Sequence, residues 1–248
     1  MQAYFRMVNV EIFKLKRSFI WLIIIIAPLA MILNGSSNFI RFQDMLTKGD
    51  DAAWLKLYVQ IVIWFGILLY PMSIGVLSIL ISRTEHAENS WKYLLALPFH
   101  RSTIYLAKLT NLMLLTGISI LFLSFGIYLS GEIIGVQGSV PYTLIFGNTL
   151  VGWVASWPII SIQLWLSIRF SGIGIPMGIS AITAIIGVIV TNSQYAKLYI
   201  WSYPALSMLP KGEGFDTFSS LSIMVISSIL FIIFTVVSIS DFKKRDIQ

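Results

Sequence analysis

The sequence lacks cysteine and contains few charged residues. With no Cys among 248 residues, disulfides, thiolate metal sites and a cysteine nucleophile are all excluded. Only 11% of the residues are charged, whereas soluble domains carry about 25%. Because 57% of the residues are hydrophobic, the composition is that of a protein that lies in a lipid bilayer.

Nucleotide-binding and catalytic motifs are absent as well. No glycine stands in a G-x-x-x-x-G-K-[ST] string, the loop whose N–H groups and lysine hold phosphates in many ATP-binding proteins. The histidines are His86 and His100, and the string His86-x-Glu88 lacks the cysteine arm that a zinc deaminase requires. We therefore expect this chain to bind no metal and no cofactor and to have no enzyme activity of its own.

Six apolar runs approach or exceed the length of about 20 residues that crosses the hydrocarbon core of a bilayer. They predict an all-α membrane protein with six transmembrane helices in a single transmembrane domain, 1–248. The predicted spans cover approximately residues 18–33, 54–81, 109–130, 142–168, 172–191 and 218–239.

Positive charge predicts the orientation of these spans. The net charge is +6, and most of the 17 Lys and Arg residues lie in the N-terminal region, in alternate connections and at the C-terminus. Loops rich in Lys and Arg stay in the cytoplasm. We therefore expect a multi-pass protein of the cell membrane with both termini in the cytoplasm, and no nucleic-acid partner.

Residues 1–17 predict an amphipathic helix that lies in the headgroup plane. On a helical wheel the apolar residues share one sector of about 100°, and the basic residues lie opposite. The apolar set is Tyr4, Phe5, Val8, Ile12, Leu15 and Phe19, and the basic set is Arg6, Lys14 and Arg17.

Residues 192–217 are rich in Tyr, Trp and Leu and are interrupted by Pro204 and Pro210. The segment is too long for a tight turn and too interrupted for two spans. Because aromatic rings favour the membrane interface, we expect a pair of short re-entrant helices in the outer leaflet.

Residues 82–108 form a conspicuous polar stretch between the second and third spans. Glu88 and Lys92 are spaced for an i,i+4 ion pair, and Ser82 and Glu85 have the spacing of a capping box. The pattern predicts a short amphipathic elbow helix on the cytoplasmic surface. Two interpretations remain open: an interfacial turn whose charges are solvated, or a surface helix that a soluble partner protein binds and displaces.

This stretch resembles the segment between the second and third spans of ABC-2-type permeases. The matching residues are Glu85, Asn89, Trp91, Lys92, Leu95, Pro98, Arg101, Tyr105 and Lys108. The strings VEIFKLKRSFIW at 10–21 and DFKKRDI at 241–247 are also similar to these permeases. More narrowly, the chain resembles the small permeases of lantibiotic-immunity and bacitracin-resistance transporters of bacteria.

The resemblance implies a half-transporter that pairs with a second permease chain, identical or homologous, and with two copies of a cytoplasmic ABC ATPase. ATP and Mg would be bound by that ATPase. The resemblance further assigns ATPase contact, or orientation of the elbow, to a set of polar residues in and beside it. This set is Glu85, Glu88, Asn89, Trp91, Lys92 and Arg101.

Within the predicted spans, polar residues are few and none lying deep is ionisable, which disfavours an ion-coupled transporter. The amides Gln60, Asn148 and Gln163 are either interhelical hydrogen-bonding groups or substrate ligands. With Trp153 and Trp157 they define a predicted substrate path. Amphipathic cargo suits such a path, so we expect membrane lipid or an amphipathic peptide to be the ligand.

Gly174 and Gly178 form a G-x-x-x-G pair in the fifth predicted span. Small residues at this spacing let helices approach closely. We expect the pair to pack against another helix of the same chain; a second permease chain is the alternative.

With these patterns, the resemblance implies the permease subunit of an ATP-driven exporter that expels an antimicrobial peptide of the lantibiotic type. Export of a lipid or another hydrophobic molecule is the nearest alternative. A non-transporting membrane scaffold or sensor would carry the same elbow.

Overall fold

The computed structural model describes residues 2–16, 18–46, 53–87, 99–210 and 220–244. Over these ranges the chain is helical and contains no strand, which confirms the all-α class. The α-helices in chain order are α1 (Gln2–Leu15), α2 (Ile20–Arg41), α3 (Gln43–Leu46), α4 (Ala53–Trp64), α5 (Tyr70–Ala87), α6 (Arg101–Ile134), α7 (Thr149–Ala155), α8 (Trp157–Arg169), α9 (Gly174–Val190), α10 (Tyr203–Met208) and α11 (Ser220–Lys244).

Four of the described helical segments are long and apolar enough to cross a membrane. A fifth candidate is a pair of helices that meet at a bend of 43°, and α9 is a shorter apolar helix of 17 residues. The four long segments are Ile20–Arg41, Ala53–Arg83, Arg101–Ile134 and Leu221–Lys244, and the bent pair is Thr143–Ala155 with Trp157–Arg169. Each segment overlaps one of the predicted apolar runs.

Two of these segments contain a π-helical stretch. Phe65–Leu69 joins α4 to α5, and Thr143–Asn148 leads into α7. A π-helical turn is rare and locally rotates the faces of a helix relative to each other. This local geometry cannot be read from the apolar pattern, which is uninterrupted through both stretches.

α2 extends well beyond the predicted end of the first span at residue 33. The added residues are mostly small or polar, yet Phe39 is fully buried. A Cβ on Gly35 would lie 2.6–2.8 Å from atoms of Ile61, so α2 and α4 approach each other at a point where only glycine fits. Tight helix packing therefore extends the helix where hydropathy alone predicted its end.

The second span also continues further than predicted. α5 runs without interruption to Ala87, so Ser82 lies inside this helix. The prediction that Ser82 caps a separate elbow helix is wrong, because the buried face of α5 continues through Ser82 to Glu85. Most of the predicted elbow helix falls on residues 88–98, which lie outside the described ranges.

α1 is helical as predicted, but its faces differ from the predicted wheel. Val8 and Leu15 are buried against the bundle, whereas Phe5 and Phe19 are largely exposed. Lys14 does not lie on a solvated polar face, because it contacts buried carboxylates. The predicted apolar sector is therefore divided between contacts with the protein and an outward-facing surface.

The outer segment 192–217, predicted to be re-entrant, contains short helices over its described part, 192–210. Two 3₁₀ turns, Ala196–Leu198 and Ile200–Ser202, precede α10. Every residue of α10 is buried. The Tyr58 hydroxyl donates a hydrogen bond of 2.7 Å to the Met208 carbonyl, which ties the end of α10 to α4.

Candidate functional site

Four charged side chains from three helices meet in one buried cluster, which we call the four-charge ring: Glu11, Lys14, Glu85 and Lys108. Glu11 and Lys14 lie three residues apart on α1, so they share a helix face. Glu85 lies near the end of α5, and Lys108 lies near the start of α6. The ring thus joins the N-terminal helix to both helices that flank residues 88–100.

The geometry of the ring is closed. Lys108 Nζ lies 2.7 Å from Glu11 Oε2 and 2.8 Å from Glu85 Oε2. Lys14 Nζ lies 2.8 Å from Glu11 Oε1 and 2.9 Å from Glu85 Oε1. Each carboxylate oxygen therefore accepts from one ammonium group, and the four formal charges sum to zero.

The ring is almost completely withdrawn from solvent. Lys108 is 0% exposed and Glu11 and Glu85 are each 2% exposed, whereas the Lys14 side chain remains 31% exposed. Lys108 Nζ also donates to the Ile81 carbonyl at 3.2 Å. Because each buried charge is paired and hydrogen-bonded, the ring satisfies the condition under which ionised groups remain buried.

The pKa shifts agree with this geometry. Burial by itself would raise the pKa of Glu85, but attraction by Lys108 and Lys14 outweighs it, so the pKa of Glu85 lies below its ordinary value of 4.5. Burial would lower the pKa of Lys14, but the carboxylates of Glu11 and Glu85 outweigh it and raise this pKa above 10.5. Both groups therefore stay ionised through the neutral range.

Further hydrogen bonds fix α1 on α6 beside the ring. Asn111 Nδ2 donates to the Val8 carbonyl at 3.2 Å, and the Tyr4 hydroxyl is hydrogen-bonded to Thr110 Oγ1. Since these contacts and the ring lie on the same two helices, α1 cannot shift along α6 without breaking several polar contacts together. These contacts hold α1 in one position against α5 and α6, and every carboxylate oxygen of the ring has an ammonium partner.

Sequence reasoning singled out Glu85 and found a family match at Lys108, but missed Glu11 and the pairing of Lys14. The available signal was an acid inside an apolar sector, since Glu11 lies between Val8, Ile12 and Leu15 on α1. The expectation that no ionisable residue lies deep in a span stays a prediction, since Lys108 lies immediately before the predicted start of the third span at residue 109. That lysine is a fully buried residue of α6, because α6 begins at Arg101, well before the predicted start of the third span.

The other residues assigned to ATPase coupling are not all described. Glu88, Asn89, Trp91 and Lys92 lie outside the described residues. Arg101 is the first residue of α6, and its guanidinium donates a hydrogen bond of 3.1 Å to the Lys243 carbonyl of α11. Arg101 is thus joined to the last turn of α11.

A second polar contact lies on the same α11 turn. The Arg169 guanidinium contacts both carboxylate oxygens of Asp241, at 2.8 and 3.0 Å, and Trp165 Nε1 donates to the same carboxylate at 3.0 Å. Trp165 therefore serves to tie α8 to α11. Because this ion pair is largely exposed, its contribution to stability is small.

The residues of the predicted substrate path lie on α4, α7, α8 and the π-helical stretch before α7. Asn148 Nδ2 points to the Met208 carbonyl at 3.5 Å, and Trp153 Nε1 donates to the Met113 carbonyl at 3.2 Å. The Trp153 and Trp157 rings pack edge to face at 5.4 Å. Gln163 is fully buried, and neither of its polar atoms has a hydrogen-bond partner in the described part of the chain. Gln60 lies on α4 and is half-buried.

A groove of about 490 Å³ lies between α2 and α6, towards their C-terminal ends. Its walls are apolar apart from three serines and include Leu29, Leu33, Phe122 and Phe125. None of the five predicted path residues lines it. The groove is open to the surroundings of the bundle and has the character of a surface for hydrocarbon chains.

Gly174 and Gly178 do not pack against a described part of the chain. A Cβ added at either position would meet no atom within 4 Å. The interpretation that this pair forms an intrachain packing site is therefore wrong over the described residues. The neighbouring Ile175 and Ile182 are largely exposed, so this part of α9 faces outward.

Comparison with known protein families identifies the chain's relatives. The description "ABC-2 family transporter protein" matches residues 7–187, more than half of the chain. The chain belongs to the ABC-2 family of transporter proteins. The match includes all four members of the ring. A comparison with curated proteins found no match.

Membership has direct consequences. An ABC-2 permease is a transmembrane subunit, and the family typically lacks ATPase motifs and generally works with an ABC ATPase. With its apolar helices, this ABC-2 chain is a multi-pass membrane protein. Over the residues that the structure describes, no group of three or more acidic or histidine side chains could hold a metal ion.

Proposed function

We propose that this chain is the permease subunit of an ATP-driven exporter of amphipathic molecules, in which the four-charge ring transmits movement of the elbow to α1. One observation carries the proposal. Lys108 and Glu85, on the helices that enter and leave the elbow, are both bonded to Glu11 of α1 or to its neighbour Lys14. A displacement of either helix end is therefore coupled to the interfacial helix.

The proposed topology has six crossings. Five correspond to the long helices and the bent pair, and α9 is the sixth. Seventeen residues span only about 26 Å at 1.5 Å per residue, slightly less than the hydrocarbon thickness of about 30 Å. The outer segment, which the proposal treats as re-entrant, would complete this crossing. Both termini and the elbow then lie in the cytoplasm of a bacterial cell.

The proposed assembly contains two permease chains, identical or homologous, and two ATPase subunits that bind ATP and Mg. In this assembly Glu85 orients the elbow from inside the ring. Contact with the ATPase falls to Glu88, Asn89, Trp91 and Lys92. The half-buried Arg101 at the start of α6 is a further candidate for that contact.

We propose an antimicrobial peptide of the lantibiotic type as the cargo. The apolar groove between α2 and α6, open to the membrane, supports an amphipathic molecule that enters sideways from the bilayer. A lipid fits the same groove, so lipid export is the alternative substrate class. The predicted path residues Trp153 and Trp157 would then serve helix packing near this route.

The decisive experiment is reconstitution of this permease with its co-expressed ATPase in liposomes. Addition of a lantibiotic peptide should stimulate ATP hydrolysis, and excess phospholipid should not. Stimulation by lipid alone would identify a lipid exporter. Basal hydrolysis that no amphipathic molecule changes would refute export and leave a scaffold or sensor.

The coupling role of the ring needs a variant that keeps the fold. Glu85→Gln combined with Lys108→Met removes one negative and one positive charge, and with them three of the four ion pairs of the ring, and leaves the neutral pair of Glu11 and Lys14. We expect this double variant to co-purify with the ATPase but to lose peptide-stimulated turnover. Lys16→Met, an exposed position beyond the end of α1, is the matched control. Normal stimulation in the double variant would show that the ring serves stability alone.

A further inference from the structure

A small cleft lies at the ends of α5, α8 and α9, away from the ring. It is lined by Arg83 and His86 of α5, Ser167 of α8, and the turn 171–173 with Pro176 at the start of α9. The enclosed space is about 10 Å³, close to the volume that holds one water-sized atom. A ligand can therefore place one oxygen atom inside while the rest of it lies at the surface.

Ser167 supplies a polar group with no use in the fold. This residue is 3% exposed, and its Oγ has no hydrogen-bond partner in the described part of the chain. Two other buried helical serines, Ser78 and Ser124, donate to the carbonyl four residues earlier. Within the described ranges Ser82 and Ser227 are unpaired like Ser167, but they do not line this cleft with its cation. An unpaired buried hydroxyl costs free energy unless a ligand or water bonds to it. Ser167 therefore points to an acceptor bound in the cleft.

The electrostatic character of the cleft is positive. Arg83 is exposed at its mouth, and His86 Nε2 donates to the Ser167 carbonyl at 3.1 Å, which holds the imidazole ring in the wall. α9 begins here without a side-chain cap, and Ile173 and Pro176 at its start line the cleft, so the positive end of its dipole lies in this region. These are the elements of an anion site.

Among the described residues, no acidic side chain lines the cleft. The carboxylate closest in sequence to Arg83 is that of Glu85, and both of its oxygens are bonded to Lys14 and Lys108 in the ring. Glu85 is therefore engaged elsewhere, and within the described ranges the charge of Arg83 is available to an external anion.

The surface beside the cleft is apolar. Ile173 is 43% exposed and Ile175 is 51% exposed, and α9 continues with exposed isoleucines as far as Ile189. Open space also lies beside Gly174 and Gly178. An anion site thus lies at the N-terminus of α9, and the exposed side of α9 can contact hydrocarbon along most of its length. This combination matches the shape of a phospholipid and not that of a free ion.

We propose that this cleft binds the phosphate of an anionic phospholipid, with the Ser167 hydroxyl donating to a phosphate oxygen at the positive end of the α9 dipole, Arg83 pairing with its charge, and an acyl chain lying along α9. The assignment rests on the proposed topology, in which these helix ends lie at the inner leaflet. It does not depend on transport or on the ATPase.

The test is a lipid titration of the purified full-length chain in detergent, followed by native mass spectrometry. The probes are phosphatidylglycerol, zwitterionic phosphatidylcholine and inorganic phosphate. Arg83→Gln and Ser167→Ala are the test variants. Arg41→Gln, an exposed cation at the opposite end of the bundle, is the matched control.

We expect wild type and Arg41→Gln to bind phosphatidylglycerol equally and more tightly than phosphatidylcholine. Loss of one hydrogen bond or ion pair should weaken phosphatidylglycerol binding about fivefold in each test variant. Because the Ser167 hydroxyl has no partner in the described part of the fold, Ser167→Ala should unfold at the same denaturant concentration as wild type. A weakened affinity in that variant therefore reports the ligand and not the fold.

Equal phosphatidylglycerol binding by all four proteins would overturn the proposal, as would equal binding of the two lipids by wild type. Displacement of the lipid by millimolar inorganic phosphate would identify a free phosphate as the ligand and contradict the lipid assignment. Because the ATPase is absent from the titration, failure of export and failure of lipid binding remain separate results.

Discussion

Removal of Lys108 should destabilise this protein more than any other single charge removal in the ring. Lys108 is 0% exposed and bonds to both Glu11 and Glu85, whereas Lys14 is partly solvated. In Lys108→Met, two buried carboxylates share one lysine and the ring carries a net negative charge. Breaking a buried ion pair by removing one partner costs about 3–5 kcal/mol of unfolding free energy.

The companion variant is Lys108→Met combined with Glu85→Gln. It restores neutrality, because only the pair of Glu11 and Lys14 remains charged, and the amide that replaces the Glu85 carboxylate can still accept a hydrogen bond from Lys14. Replacing a whole buried pair by uncharged residues costs little, so we expect the double variant to lose only about 1–2 kcal/mol. The second substitution should therefore rescue the first.

The assay is reversible unfolding in mixed micelles, followed by the fluorescence of the eight tryptophans. Lys16→Met is the control, and removal of this exposed charge should change the unfolding free energy by less than about 0.5 kcal/mol. The reasoning is falsified if Lys108→Met lies within about 1 kcal/mol of wild type, or if the double variant is less stable than the single one.

Two further predictions concern stability. Because the pKa of Glu85 is lowered, its contribution to stability is present above pH 4.5 and is lost as pH falls through the lower folded pKa; because the pKa of Lys14 is raised, its contribution is present below pH 10.5 and is lost at higher pH. The unfolding free energy should therefore not change through these two groups from about pH 5 to 10. A stability midpoint near neutral pH in wild type that Glu85→Gln abolishes would contradict this. Gly35→Ala should lower the unfolding free energy by about 1–3 kcal/mol in the same micelle assay, because its Cβ would lie within 2.8 Å of the Ile61 backbone. Gly178→Ala, whose Cβ meets open space, should leave the unfolding free energy unchanged or raise it. Equal effects of the two substitutions would refute the packing argument.

Several features followed from the sequence because they depend on local composition. An apolar run of sufficient length has few alternatives to a helix in a bilayer, since every backbone polar group must be bonded within the segment. The all-α class and the positions of the apolar helices were therefore predictable. The resemblance at 82–108 likewise depends on contiguous residues, and the family match confirms it at the level of the ABC-2 permeases.

Helix ends were less predictable, because packing moved them. α2 continues through Asn34 and Asn38 because Gly35 fits against Ile61 and Phe39 is buried. α6 begins before Lys108 because the charge of that lysine is neutralised by Glu11 and Glu85. Hydropathy treats each such residue as an isolated cost and takes no account of partners distant in the chain.

The sequence by itself determined that this protein crosses a membrane, that it is helical, and that it lacks the common ATP-binding loop. Only the tertiary structure decided which of its charges are buried together. Lys108 is separated by almost a hundred positions from Glu11, and no periodicity relates them. Their pairing exists because α1 docks beside α5 and α6, and in that low-dielectric environment each charge is stable only with its partners present.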